Sequence, residues 1–207
     1  MLDKRINREQ IVTAMLIKWI DKMFFLNGEE KALLLKISFV LIKDRANLFK
    51  LYDEIFQEEE HYLSFNDEKL ELSLENKKMI VSTLIDFSDE IFPLGSLVTL
   101  KNEELKDKEG NDLKIIITKR FLSNEKSSFY FTYSGTLYPI GSFEEEDKLL
   151  HFTSESIKEV LHQGFSDDVD VSYTLAVKNE LILNRGVHSV LFADVKEKRN
   201  FEKEIQR

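Results

Sequence analysis

Proline occurs twice in this chain, and each time it opens the same four-residue figure: Pro93-Leu94-Gly95-Ser96 and Pro139-Ile140-Gly141-Ser142. Proline fixes φ, and a glycine two places on reaches conformations closed to other residues. Each figure follows an aromatic residue, Phe92 or Tyr138, and stands beside β-branched or aromatic stretches. The pair therefore punctuates a sheet, with structural turns at Pro93, Gly95, Pro139 and Gly141. Upstream of Pro93 there is one glycine, Gly28, and no proline. This asymmetry predicts an α+β fold. Residues 1–91 form an N-terminal helical bundle with a small β-hairpin near 61–74. Residues 92–207 form a small twisted antiparallel sheet covered by one or two helices, with a charged C-terminal tail.

In the first region Ile11, Val12, Met15, Leu16, Trp19, Ile20, Met23 and Phe24 recur in pairs four apart, which lines one face of a helix. Asn27-Gly28 reads as its left-handed stop. A second helix from about Glu29 is apolar nearly all round and is placed centrally in the bundle. Leu48, Leu51, Tyr52, Ile55 and Phe56 mark a third helix, ending in Glu58-Glu59-Glu60. Strand alternation in Tyr62–Phe65 and Leu70–Leu74 flanks a turn at Asn66–Lys69. A fourth helix runs through Ile80, Leu84, Phe87 and Ile91.

Beyond Ser96 the period changes. Leu97, Val98 and Leu100 begin a strand, and Leu113–Thr118 reads as a second, buried on both faces. The charged stretch Lys101–Asp112 between them reads as an exposed loop. Phe129–Tyr133 is an aromatic strand broken at Gly135 and resumed at Thr136–Tyr138, and Leu149–Phe152 is a short further strand. Thr153 and Ser154 are N-cap residues for a helix through Ile157, Val160 and Leu161, closed by Gly164. Asp167 and Asp168 start another through Val171, Leu175 and Ile182, stopped near Gly186. Val187–Phe192 reads as a last strand. The tail from Lys196 frays unless Phe201 and Ile205 dock it.

Composition excludes several chemistries. The 207 residues are 43% hydrophobic, ample for a packed core, and the 16 phenylalanines argue against disorder. Net charge is -9, which repels phosphate backbones and anionic lipid, so no nucleic acid and no membrane surface is expected. With no cysteine, disulfides, thiolate metal sites and a cysteine nucleophile are ruled out. The N-terminus lacks a basic-then-apolar secretion signal, and the longest apolar stretch, Ala32–Ile42, falls short of the ~20 residues of a membrane helix. A cytoplasmic protein is expected.

No catalytic group is legible either. His61, His151, His162 and His188 are scattered without a helical ligand pair, and no nucleophile elbow or phosphate-cradling glycine loop occurs. The carboxylate runs Glu58–Glu60 and Glu144–Asp147 read as solvated surfaces. We therefore expect no enzyme, no metal and no cofactor. Helices followed by a hairpin also suit a winged-helix reader of DNA. Against it, the third helix carries Asp53, Glu54 and a glutamate run where phosphate contacts need Lys or Arg.

Four blocks in order carry a family resemblance. Phe92-Pro93-Leu94-Gly95-Ser96-Leu97-Val98-Thr99-Leu100-Lys101 is followed by Lys114-Ile115-Ile116-Ile117-Thr118-Lys119-Arg120. Next come Phe129–Tyr133 with Leu137-Tyr138-Pro139-Ile140-Gly141, then Ile157-Lys158-Glu159-Val160 with Gly164-Phe165-Ser166-Asp167. Over about residues 91–170 this resembles the domain of unknown function DUF4176, whose last block is an Ile-x-x-Val helix followed by Gly-aromatic-x-Asp. The loop 103–112 is longer than usual for that family, and the helical first region lies outside it. Members occur beside LXG-type toxins of the Gram-positive type VII secretion system. The resemblance implies a cytoplasmic accessory protein that binds a cognate LXG toxin as chaperone or targeting adaptor for export. It brings no active site.

A toxin-neutralising immunity protein is the alternative, since an acidic surface suits occlusion of a basic toxin domain. A winged-helix nucleic-acid-binding protein ranks third. For an adaptor, the aromatics Phe129, Phe131, Tyr133 and Tyr138 are the candidate partner-binding residues, because some of an alternating set must face outward. A sheet edge that accepts a client strand is a second route. The sequence sets neither the client nor the oligomeric state.

Overall fold

The computed structural model describes residues 8–55, 61–124, 126–141 and 149–205. Phe56, the two carboxylate runs and Ser142 lie outside these. The chain packs as two compact units. The first runs to Asp89 and takes in Lys178–Gly186. The second comprises Glu90–Val177 and the chain from Val187 onward. The stretch Lys178–Gly186 thus joins the first unit, not the 92–207 region where its sequence position puts it.

In the first unit, α1 (Arg8–Met23) buries Val12, Leu16, Trp19 and Ile20 along one face. Trp19 meets Phe24 edge-on at 5.4 Å. Asn27 does not end α1 with a left-handed residue; it caps α2 (Gly28–Leu41). Its side chain accepts the Glu30 N–H at 2.9 Å while the Glu30 carboxylate accepts the Asn27 N–H at 2.8 Å, a reciprocal capping box. Nor is α2 the central helix: it buries Leu34, Ile37, Ser38 and Leu41 and leaves Val40 exposed. That place belongs to α4 (Leu74–Ser88), which buries every residue from Ile80 to Phe87. Ser82 can be buried there because the backbone serves it: its hydroxyl donates to the Met79 carbonyl at 3.2 Å.

Between them lie α3 (Arg45–Glu54) and the expected hairpin, β1 (Tyr62–Phe65) with β2 (Glu68–Glu71). Asn66 takes the positive φ of the turn, and buried Leu63 faces buried Leu70. A π-helical segment, Asn179–Asn184, buries Leu181, Ile182 and Leu183 and stops at Gly186, whose φ is +64°.

The second unit holds an antiparallel sheet of order β6-β5-β4-β3-β7, built from β3 (Leu97–Leu100), β4 (Lys114–Leu122), β5 (Phe129–Leu137), β6 (Leu150–Phe152) and β7 (Ile157–His162). A two-residue β8 (His188–Ser189) adds to β5 in parallel. Val190–Phe192 is a 3-10 turn instead of a continuation of the expected strand. In β4, Ile115 and Ile117 are buried while Ile116 is only partly so, so the three isoleucines alternate instead of being buried on both faces. Gly135 does not break β5. The strand runs through it, and its missing Cβ admits the carbonyl of Ile116 on β4.

The expected helix over Ile157–Leu161 is strand β7, after a single 3-10 turn at Ser154–Ser156. The reason is a bulge. Glu159 pairs with Thr99 and Ile157 with the next residue, Leu100, so Lys158 is the extra residue. The shift in parity lets Ile157 and Val160 both pack against the core, which imitates helical spacing. Two helices follow, α5 (Asp168–Lys178) and α6 (Val195–Ile205). The charged tail is therefore helical, and Phe201 docks it by stacking on Phe131, ring centroids 5.5 Å apart.

Candidate protein-binding surface

One serine organises the end of the sheet. The Ser96 hydroxyl donates to the Pro93 carbonyl at 2.8 Å and accepts the Gly164 N–H at 3.0 Å. Gly95, at φ +81°, donates its N–H to the Ile117 carbonyl at 2.8 Å. Gly164 lies so close to the Leu94 carbonyl that any Cβ would collide with it. The chain leaving β7 is thus drawn against the Pro93 turn, and the serine is committed to that turn. The second proline figure differs: Tyr138–Pro139 is cis, Gly141 sits at φ +74°, and its carbonyl accepts the Thr136 hydroxyl at 2.7 Å.

Past Gly164, the Asp167 carboxylate accepts the Asp170 N–H at 2.9 Å and so caps α5. Asp170 meets the Arg120 guanidinium of β4 at 2.6 Å and the Ser166 hydroxyl at 3.0 Å. Burial alone would raise its carboxyl, but these partners outweigh burial and hold it below the ordinary carboxylate value. Arg120 also lies 5.6 Å from the Tyr173 ring centroid.

The outer side of this assembly is apolar. Phe165 is 82% exposed, Val169 74% and Tyr173 55%; Leu94 and Leu161 are exposed as well. Val171 and Leu175 turn inward on the other side of α5. In the segment Gly164-Phe165-Ser166-Asp167, the glycine permits close approach and the aspartate caps a helix. The side chain of Phe165 stands almost wholly in water among the described residues.

The sequence-predicted aromatics stand elsewhere. Phe131 and Tyr133 are fully buried, so they are core residues and not surface anchors. Phe131 packs with Val190 and Phe201; Tyr133 packs near Phe92 and Phe152 at 6.4 and 5.4 Å. Phe129 is half-buried against the Phe131 cluster. Tyr138 is exposed at the second turn. The physical reason is that both faces of β5 are covered: every residue from Tyr130 to Thr136 is buried, and Phe201 stacks over Phe131. Alternation cannot bring such residues to solvent. What the sequence reading missed is Phe165 with Val169 and Tyr173. Their signal is that α5 has more apolar positions than one buried face requires.

Fold and surface together define an α+β protein with an exposed apolar strip on its sheet-bearing unit. Among the described residues, no group of three His, Cys, Asp or Glu side chains could hold a metal ion, and no helix is long and apolar enough to cross a membrane. Residues 91–173 match the family model described as Domain of unknown function (DUF4176). That span contains both proline figures, β3 to β7, and the exposed Phe165, Val169 and Tyr173. No curated protein and no solved structure matches the chain.

Proposed function

We propose that this protein is a cytoplasmic accessory factor of type VII secretion that binds a cognate LXG-type toxin as chaperone or targeting adaptor for export. The observation that carries the reading is the strip of exposed apolar residues inside the family-matched segment. Large apolar side chains left in water at adjoining positions mark sites that another protein covers. Phe165 is the clearest of them. The family resemblance supplies the kind of partner, and the exposed strip supplies a means of gripping it.

Immunity is the second reading, supported by the net charge of -9. Co-producing the toxin with this protein alone separates the two. An adaptor co-purifies with the toxin, raises its yield or export, and leaves it active. Cell survival through loss of toxin activity supports immunity instead, and failure to co-purify removes both.

A further inference from the structure

The exposed face of α5 has a period and a charge. Val169, Tyr173 and Ala176 are all exposed and stand four and three residues apart, so they form one stripe along two turns of helix. Phe165 stands just ahead of its first turn. Such a stripe offers the ridges and grooves that a second helix packs into.

One end of that stripe is acidic. Asp167 and Asp168 are exposed at its start. Asp170 is neutralised by Arg120, which is itself buried beneath it. The one basic residue of α5, Lys178, is buried. The stripe therefore has two solvent-facing carboxylates at one end and no exposed cation of its own helix along it.

We propose that the outer face of α5, with Phe165 ahead of it, receives a helix of another polypeptide whose apolar stripe is edged by lysine or arginine. This rests on the reading that the protein works by binding a polypeptide. A second copy of the chain is a poor occupant, because it brings the same two carboxylates, the same net charge of -9 and no exposed cation of α5. An anionic lipid surface is disfavoured on the same ground.

The probe is a fluorescent Leu/Lys peptide of helical period, about 18 residues or five turns long. Its anisotropy is titrated with full-length protein. Two control peptides are used, one of the same composition in shuffled order and one with Glu for Lys. The expected result is binding of the helical Leu/Lys peptide, weakened roughly tenfold or more by shuffling, by the Glu replacement, and by Val169→Ser with Tyr173→Ser. Equal binding of the shuffled peptide, or no effect of the double variant, overturns the proposal. So does a dimer in sedimentation that the double variant abolishes. The cognate toxin is captured in parallel. Capture that the double variant leaves intact overturns this surface alone. Absence of capture by the unaltered protein overturns the proposed function while the peptide result still stands.

Discussion

The Lys178 ammonium donates to the carbonyl of Phe87 at 2.9 Å, at the C-terminal end of α4. It also reaches the carbonyl of Asp89, whose carboxylate is paired with Arg45 at 3.1 Å. Cations at helix C-termini stabilise the last carbonyls. Here, however, the amine is buried, and burial pushes it down to about 8 despite the opposing pull of Asp89. A folded value below the unfolded one means that the folded state sheds its proton first. The contribution is complete above the unfolded value near 10.5 and is lost as pH falls through about 8. Unfolding in urea, followed at the single tryptophan Trp19, should show stability relative to Lys178→Met rising between pH 8 and 10.5, by up to about 3 kcal/mol. A flat difference across that window contradicts the buried amine.

Tyr133 closes a second buried polar contact, within the sheet unit. Its hydroxyl accepts the Phe92 N–H at 2.8 Å and donates to the Glu90 carbonyl at 3.2 Å. Tyr133→Phe keeps the ring packing and strands both backbone groups. It should cost about 1–3 kcal/mol in thermal or urea unfolding. A cost near zero would mean that the hydroxyl does not hold the entry to β3.

Two glycines make a matched pair for testing the Pro93 turn. Gly164→Ala forces a methyl into the Leu94 carbonyl and should destabilise by about 1–3 kcal/mol. Gly28 opens α2 with open space around it, so Gly28→Ala should change stability by no more than about 0.5 kcal/mol. Differential scanning calorimetry of the two variants checks the contrast.

Two phenylalanines separate packing from binding. Phe201 is the buried anchor of α6 on Phe131, so Phe201→Ala should cost about 3 kcal/mol or more and expose the C-terminal helix to protease. Phe165→Ala should leave stability within about 0.5 kcal/mol, because its ring is almost wholly in water. Equal losses in both would place Phe165 in the core.

The α+β class, the hairpin and most strands were legible because alternation and turn chemistry act locally. Tyr62–Phe65 and Glu68–Glu71 flank a turn that its own residues specify. Errors arose where one signal serves two outcomes. Asn27 suits a helix end and a helix start, and only the reciprocal bond with Glu30 decides. Ile157 and Val160 keep helical spacing because a bulge shifts strand parity. Gly135 reads as a break, yet it is the one place where β4 needs the side chain gone. Two of the four candidate aromatics, Phe131 and Tyr133, are buried for a non-local reason. Whether Phe131 and Tyr133 face water depends on what covers the faces of β5, and residues distant in sequence such as Phe152 and Phe201 do so. Phe165 lay within the resembling segment, but only its exposure distinguishes a partner contact from core.

The most direct measurement is calorimetric titration of the purified cognate LXG-type toxin with the unaltered protein and with Phe165→Ser, at matched melting temperature. The account predicts a measurable complex that the substitution weakens roughly tenfold or more. Identical affinity in both proteins, or no heat of binding in either, contradicts it.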